Sequence, residues 1–127
     1  MNDEKLMQER RKEKRFRMRD GTYAFLRASA NKTGQVIDLS RTGLAFSYSS
    51  HHGIPVESRG LLDLMAEEGV LLERISYITI NDCLINCETF FVPGITLRRR
   101  CVKFDTLSPE GILSIQSIIE RFGRILQ

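Results

Sequence analysis

The chain has 127 residues, of which 42% are hydrophobic and 28% are charged, with a formal net charge of only +3. This composition describes an ordinary globular protein of one domain. No run approaches the roughly 18 consecutive apolar residues of a membrane-spanning helix, and the first residues lack the apolar core of a signal peptide. We therefore expect a cytoplasmic protein without membrane insertion, in which the three cysteines are reduced thiols.

The positive charge is concentrated near the N-terminus. Residues 9–20 hold seven Arg or Lys and three Asp or Glu, so this segment carries +4 and the remainder carries −1. Residues 1–20 are too polar to fold alone, although their composition is compatible with a helix over roughly residues 3–14. We predict a flexible basic arm over residues 1–20 and a folded domain over residues 21–127.

Six segments with alternating or β-branched apolar residues follow the arm. The predicted strands cover residues 22–29, 35–39, 43–49, 61–65, 70–80 and 95–105. Because no helical pattern lies between them, antiparallel pairing is favoured over βαβ units, and six such strands suit a small closed barrel. Residues 81–94 fit either an extra hairpin or an inserted loop, and the sequence leaves both open.

The end of the chain is predicted to be a helix. Ser108 and Pro109 form a typical N-cap and first helical position, and apolar residues then recur at three- and four-residue spacing up to Ile125. Gly111 and Gly123 are expected to weaken this helix by up to ~1 kcal/mol each. The predicted fold is therefore mainly β, a six-stranded antiparallel barrel with a C-terminal helix packed against the sheet.

The first of two motifs lies in the basic arm. Arg11 and Arg15 form the pattern R-x-x-x-R. Guanidinium groups bind phosphate bidentately, stack on purine rings and pair with guanine O6 and N7. A charge run is more often a solvated surface, so this motif alone is weak evidence for a site.

The second motif is D-x-S-x-x-G, formed by Asp38, Ser40 and Gly43. A carboxylate can accept two hydrogen bonds, which matches the N1–H and N2–H₂ donors of a guanine edge, and Ser40 can donate or accept beside it. Glycine permits a positive φ or the close approach of a ligand to the backbone. The alternative is a serine or Asx turn between two strands that Gly43 closes, and the motif alone leaves both open.

The two motifs, in this order, resemble those of the PilZ domain family. The matching residues are Arg11, Arg15, Asp38, Ser40 and Gly43, with Arg10 directly before the first arginine. The last predicted strand and the helix are also similar to the end of that family's barrel, so the resemblance covers about residues 9–125. It implies a bacterial barrel that binds the second messenger cyclic di-GMP, as a ligand rather than as a cofactor. Family members with an arginine directly before the motif tend to hold two intercalated ligand molecules, so Arg10 favours that stoichiometry.

The resemblance also implies a role for each of the other motif residues. Arg11 and Arg15 would contact phosphates and guanine faces from an arm that lies across the barrel mouth. Asp38 and Ser40 would read a guanine edge, and Gly43 would leave room for it.

We expect a non-enzymatic receptor that signals to a protein partner when the ligand orders the arm. No histidine lies in either motif to act as a base beside Ser40, and the spacing of His51, His52 and the cysteines matches no usual zinc pattern. Two alternatives stay open. One is a small barrel that binds nucleic acid through residues 10–19 and Arg98–Arg100, which is the less favoured reading. The other is a degenerate module that binds only another protein.

The second basic cluster lies on the sixth predicted strand. Alternation places Arg98 and Arg100 on the side of Val102 and Phe104, with Arg99 on the opposite side. We favour a solvated strand end for this cluster, with a supplementary phosphate contact as the alternative.

Overall fold

The computed structural model describes residues 14–27, 32–51, 56–85 and 95–125. Within these residues the chain forms eight strands and one helix. They are β1 (Phe16–Met18), β2 (Thr22–Leu26), β3 (Thr33–Leu39), β4 (Gly43–His51), β5 (Arg59–Ala66), β6 (Gly69–Leu84), β7 (Ile95–Phe104), α1 (Pro109–Phe122) and β8 (Gly123–Ile125). The helix considered for residues 3–14 falls almost wholly outside the described residues.

Six of the strands close into a barrel. Their hydrogen-bonded order is β2-β5-β6-β7-β4-β3, and a further pairing of β2 with β3 closes the ring. Every neighbouring pair is antiparallel. These are the six strands predicted from the sequence, so the expected barrel with a C-terminal helix is confirmed. Within the described residues, no helix has both the length and the apolar character needed to cross a bilayer.

The interior of the barrel is filled by apolar side chains from alternate strand positions. The buried core includes Leu26, Val36, Phe46, Leu62, Ile75 and Val102 from the barrel, and Ile115, Ile118 and Ile119 from α1. Complete burial of a side chain of this size contributes roughly 1.5–3 kcal/mol. The helix is therefore part of the same core as the sheet.

The helix α1 begins where the sequence predicts and ends earlier than predicted. The Ser108 hydroxyl accepts a hydrogen bond from Gly111 N at 3.0 Å, and Pro109 is the first helical residue. Gly123 leaves the helix with φ −94° and ψ 158°. A Cβ at this position would lie 2.7 Å from the Ile119 carbonyl oxygen. This glycine therefore terminates the helix and opens β8, instead of weakening a helix interior as expected.

Two short strands, β1 and β8, extend the sheet beyond the barrel. β1 lies between β3 and β8, with Phe16 opposite Leu39 and Arg17 opposite Asp38 on the β3 side. The last residue of β1 is buried in the core. The segment predicted as an arm over residues 1–20 therefore joins the sheet at Phe16.

Part of the segment 81–94 extends a hairpin. β6 continues to Leu84, β7 starts at Ile95, and Ile85 N donates to the Leu97 carbonyl at 2.8 Å. The first residues of the segment thus lengthen the β6–β7 ladder, and its remainder lies outside the described residues.

Candidate ligand-binding site

The second motif lies where β3 ends and β4 begins. The Ser40 hydroxyl oxygen accepts hydrogen bonds from Thr42 N and Gly43 N, both at 3.2 Å. The backbone N–H of Ser40 donates to the Gly43 carbonyl at 2.9 Å. Ser40 is buried and shapes this turn. The serine-turn alternative therefore describes its local structure correctly.

Gly43 is required by the sheet itself. Its φ is not positive, so a left-handed conformation does not explain the glycine. A Cβ at this position would lie 2.2 Å from the Val102 carbonyl oxygen and 3.2 Å from the Lys103 Cα on β7. The close approach of the β7 backbone therefore accounts for the glycine within the fold.

A β-bulge aims Asp38 away from the core. The register between β3 and β4 shifts between Val36 and Asp38, and Val36 and Leu39 on either side of the shift both point into the barrel. Asp38 faces outward and lies opposite Ala45 on β4, since a bulge re-aims the side chains beside it. Its side chain is only 11% exposed, and its Oδ2 lies 3.3 Å from Arg99 Nη2.

Arg15 is the residue of the first motif that lies within the described part of the chain, and Arg10 and Arg11 lie outside it. Arg15 is exposed and stands directly before β1. Because Arg17 pairs with Asp38, Arg15 stands only two positions before the backbone partner of Asp38. The segment that carries the first motif therefore enters the sheet beside the second motif.

The three consecutive arginines of β7 are not a solvated strand end, and that interpretation is wrong. Arg100 is completely buried, Arg98 forms an ion pair with Asp82, and Arg99 forms one with Asp38. The predicted alternation is correct, since Arg100 points into the barrel and Arg99 points outward. What the sequence did not reveal is the set of acidic partners that makes burial of Arg100 possible.

Arg100 is the centre of a buried polar network. Its Nε donates to Asp82 Oδ2 at 2.8 Å, its Nη1 to Glu57 Oε2 at 2.9 Å, and its Nη2 to the Tyr48 hydroxyl at 2.9 Å. The Tyr48 hydroxyl and Arg98 Nε also donate to Asp82. The guanidinium of Arg100 is thus bonded through three of its nitrogen atoms.

The network favours the charged forms of Asp82 and Arg100 and the neutral form of Tyr48. Burial alone would raise the pKa of Asp82, but hydrogen bonds from Tyr48, Arg98 and Arg100 outweigh it and lower that pKa below its usual range. Burial would lower the pKa of Arg100, but hydrogen bonds to Asp82, Tyr48 and Glu57 raise it instead. Burial raises the pKa of the Tyr48 hydroxyl, which therefore remains a donor at neutral pH. The network links β4, β6 and β7 to one another and to Glu57.

The cysteines do not build a metal site in the described part of the chain. Cys83 is exposed and Cys101 is half-buried. No three His, Cys, Asp or Glu side chains among the described residues come together as metal ligands. Cys87 and His52 lie outside these residues.

Arg99 is the residue at this site that neither motif contains. It contacts Asp38 from a position 61 residues away in the chain. Alternation along β7 was the available signal, because it placed Arg99 on the outer face of the sheet. Nothing in the sequence indicated that Asp38 would reach the same face through a bulge.

Several solved structures share this fold. The PilZ domain of YcgR from Escherichia coli, solved with c-di-GMP, matches with a TM-score of 0.65 and 18% sequence identity, over 88% of this chain and 90% of that one. MrkH of K. pneumoniae, solved as a c-di-GMP complex, matches with a TM-score of 0.64 and 18% identity, over 85% of this chain. The chain spans about half of MrkH, 50% of its length.

MrkH in its apo state also matches, with a TM-score of 0.63 and 17% identity, over 84% of this chain and 47% of that one. No family model matches the sequence, and no curated protein matches it either. The similarity to these solved structures confirms the fold expected from the resemblance, and the chain has a PilZ-like fold.

Proposed function

We propose that this chain is a receptor for cyclic di-GMP that relays the signal to a partner protein when the ligand orders its N-terminal arm. The proposed binding residues are Arg10, Arg11, Arg15, Asp38, Ser40 and Gly43. The observation that carries the proposal is the pairing of Arg17 with Asp38, because it joins the arginine segment to the strand that holds the carboxylate. The solved PilZ domains of YcgR and MrkH with c-di-GMP support the same ligand class.

The chemistry of the ligand matches what these residues offer. Cyclic di-GMP carries two phosphate charges and two guanines. An exposed ion pair contributes only ~0–1 kcal/mol, so guanidinium–phosphate contacts alone do not hold such a ligand. A guanine stacked on an arginine adds roughly 0.5–2 kcal/mol, and the Asp38 carboxylate supplies acceptors for a guanine edge.

The relay is proposed to pass through β1. This strand is hydrogen-bonded to β3 on one side and to β8 on the other, and Arg19 N donates to the Phe122 carbonyl at the end of α1 at 3.0 Å. A ligand that fixes the residues before β1 therefore acts on a strand in contact with the C-terminal helix. Hydrogen exchange should show new protection in residues 1–13 when cyclic di-GMP is added, and equal protection in both states would contradict the relay.

Isothermal titration with cyclic di-GMP, using GTP as control, tests the proposed ligand. We expect saturable binding of the dinucleotide and none of GTP. A chain that gives no heat with cyclic di-GMP would instead fit a module that binds only protein. Salt-dependent binding of single-stranded nucleic acid that survives Asp38→Ala would instead support the nucleic-acid alternative.

A further inference from the structure

Arg99 reaches Asp38 across an intervening strand. It stands on β7 opposite Ser47 of β4, and Asp38 stands on β3 opposite Ala45 of β4. The guanidinium must therefore cross the outer face of β4 for its Nη2 to lie 3.3 Å from Asp38 Oδ2. Ala45, whose side chain is the smallest a strand residue other than glycine can have, is 2% exposed and leaves room for this crossing.

The contact with Asp38 leaves other N–H donors of the Arg99 guanidinium without a hydrogen-bond partner among the described residues. Its Nε is buried and has no hydrogen-bond partner, although the side chain as a whole is 39% exposed. An unpaired buried donor is energetically unfavourable. The neighbouring Arg100 shows the contrast, because it is bonded through three of its nitrogen atoms. Within the described residues the guanidinium of Arg99 is hydrogen-bonded through Nη2 alone, and its exposed part therefore retains N–H donors for a ligand placed against Asp38.

A carboxylate beside a guanidinium is complementary to one edge of guanine. On that edge the O6 acceptor lies next to the N1–H donor, which lies next to the N2–H₂ donor. The two oxygens of Asp38 match the two donors, and an N–H of Arg99 matches O6. Adenine carries an amino donor where guanine carries O6, so the same pair would place a donor against a donor.

We propose that Arg99 is a specificity-determining residue of the ligand site. It donates to guanine O6 while the adjacent Asp38 accepts from the same base, and it holds the Asp38 carboxylate in position in both the free and the bound state. This inference rests on the proposed function, since it concerns the same site and the same ligand. It goes further in assigning the choice of guanine over adenine to a pair of residues, one of which lies outside both motifs.

The test is a titration of wild type, Arg99→Met and Arg99→Lys with cyclic di-GMP and with cyclic di-AMP. Arg121→Met is the matched control, because Arg121 is also ion-paired, with Glu68 at 2.9 Å. We expect Arg99→Met to weaken cyclic di-GMP binding about fivefold or more, whereas cyclic di-AMP binding should stay unchanged or become stronger because a donor facing the adenine amino group is removed. Arg99→Lys should fall between wild type and Arg99→Met, because lysine keeps the charge but lacks the planar fork. Arg121→Met should bind like wild type, and thermal unfolding should show all variants folded.

The possible outcomes separate this inference from the proposed function. A wild-type chain that does not bind cyclic di-GMP overturns both. If wild type binds and Arg99→Met binds equally well, only the role of Arg99 is overturned. Equal weakening for both dinucleotides would assign Arg99 to a phosphate and overturn its role in specificity.

If cyclic di-AMP binds too weakly for its affinities to be compared, a double-mutant cycle measured with cyclic di-GMP tests whether Arg99 acts together with Asp38. If Asp38 and Arg99 read one base together, the double variant Asp38→Ala/Arg99→Met should lose at least threefold less affinity for cyclic di-GMP than the product of the single losses. Independent, multiplicative losses would overturn the inference.

Discussion

Arg99 and Arg100 are neighbours in the chain, but they differ in the direction their side chains point, in their burial and in their ion-pair partners. Arg100 points into the barrel, is completely buried and has its charge balanced by Asp82 and Glu57. Arg99 points outward, is partly exposed and contacts a single carboxylate. One strand thus carries a buried, fully bonded cation on its inner face and, on its outer face, a cation that we propose for ligand binding. Variants of the inner region should therefore change unfolding, and variants of the outer region should change ligand affinity.

The largest effect is expected from the inner region. Arg100→Ala removes a fully buried cation from Asp82 and Glu57, although Arg98 still pairs with Asp82 and Lys32 with Glu57. Removal of one member of a buried ion pair costs about 3–5 kcal/mol. Urea unfolding measures the free energy of unfolding directly. Arg121→Ala, which breaks an exposed ion pair, is the control and should cost no more than ~1 kcal/mol. An Arg100→Ala variant as stable as that control would contradict the account of the network.

Gly43→Ala tests whether Gly43, the last residue of the second motif, is needed for packing of the sheet or for binding of the ligand. The added Cβ would lie 2.2 Å from the Val102 carbonyl oxygen, so the backbone must shift, and we expect a loss of about 1–3 kcal/mol in the free energy of unfolding. The loss should appear without any ligand present. An alanine variant with wild-type stability and impaired binding would show that Gly43 serves only the ligand.

The motif residues of the outer region should affect binding more than stability. Arg11→Ala, Arg15→Ala and Asp38→Ala are each expected to weaken cyclic di-GMP binding at least tenfold, which corresponds to about 1.4 kcal/mol. Arg15 is exposed, so its variant should keep the wild-type melting temperature. Three variants that all bind like wild type would refute the site assignment.

The smallest expected effect is on the free energy of unfolding at acidic pH. The pKa of Asp82 lies below its usual range because Tyr48, Arg98 and Arg100 donate to it, so its contribution to stability is present above about pH 4 and is lost as pH falls through the lowered pKa. Wild type should therefore lose more stability on acidification than Asp82→Asn, which carries no titrating group there. Parallel pH profiles of the two proteins, measured by urea unfolding, would contradict the assigned direction.

The sequence predicted the barrel well because each barrel strand carries its own pattern. Alternation marked the strands, and Ser108 with Pro109 marked the start of α1. β1 was missed because it has only three residues, Arg17 with one apolar residue on each side, and three residues are too few to show a pattern. Its strand character arises from pairing with β3 and β8, which are distant in the chain.

The candidate site was only partly predictable, for a similar reason. The two motifs could be read from local spacing, and the chain indeed brings Arg17 beside Asp38. The contact between Arg99 and Asp38 depends on a bulge and on two strand registers, none of which leaves a trace in local sequence. The burial of Arg100 depends likewise on partners from three separate segments of the chain.

We propose that the arginine arm and the turn after Asp38 close together around cyclic di-GMP. A crystal structure of the chain with cyclic di-GMP tests this most directly. We expect Arg11, Arg15 and Asp38 all to contact the bound dinucleotide, with a guanine edge against the carboxylate. A dinucleotide bound away from Asp38, or one that neither arginine contacts, would contradict it.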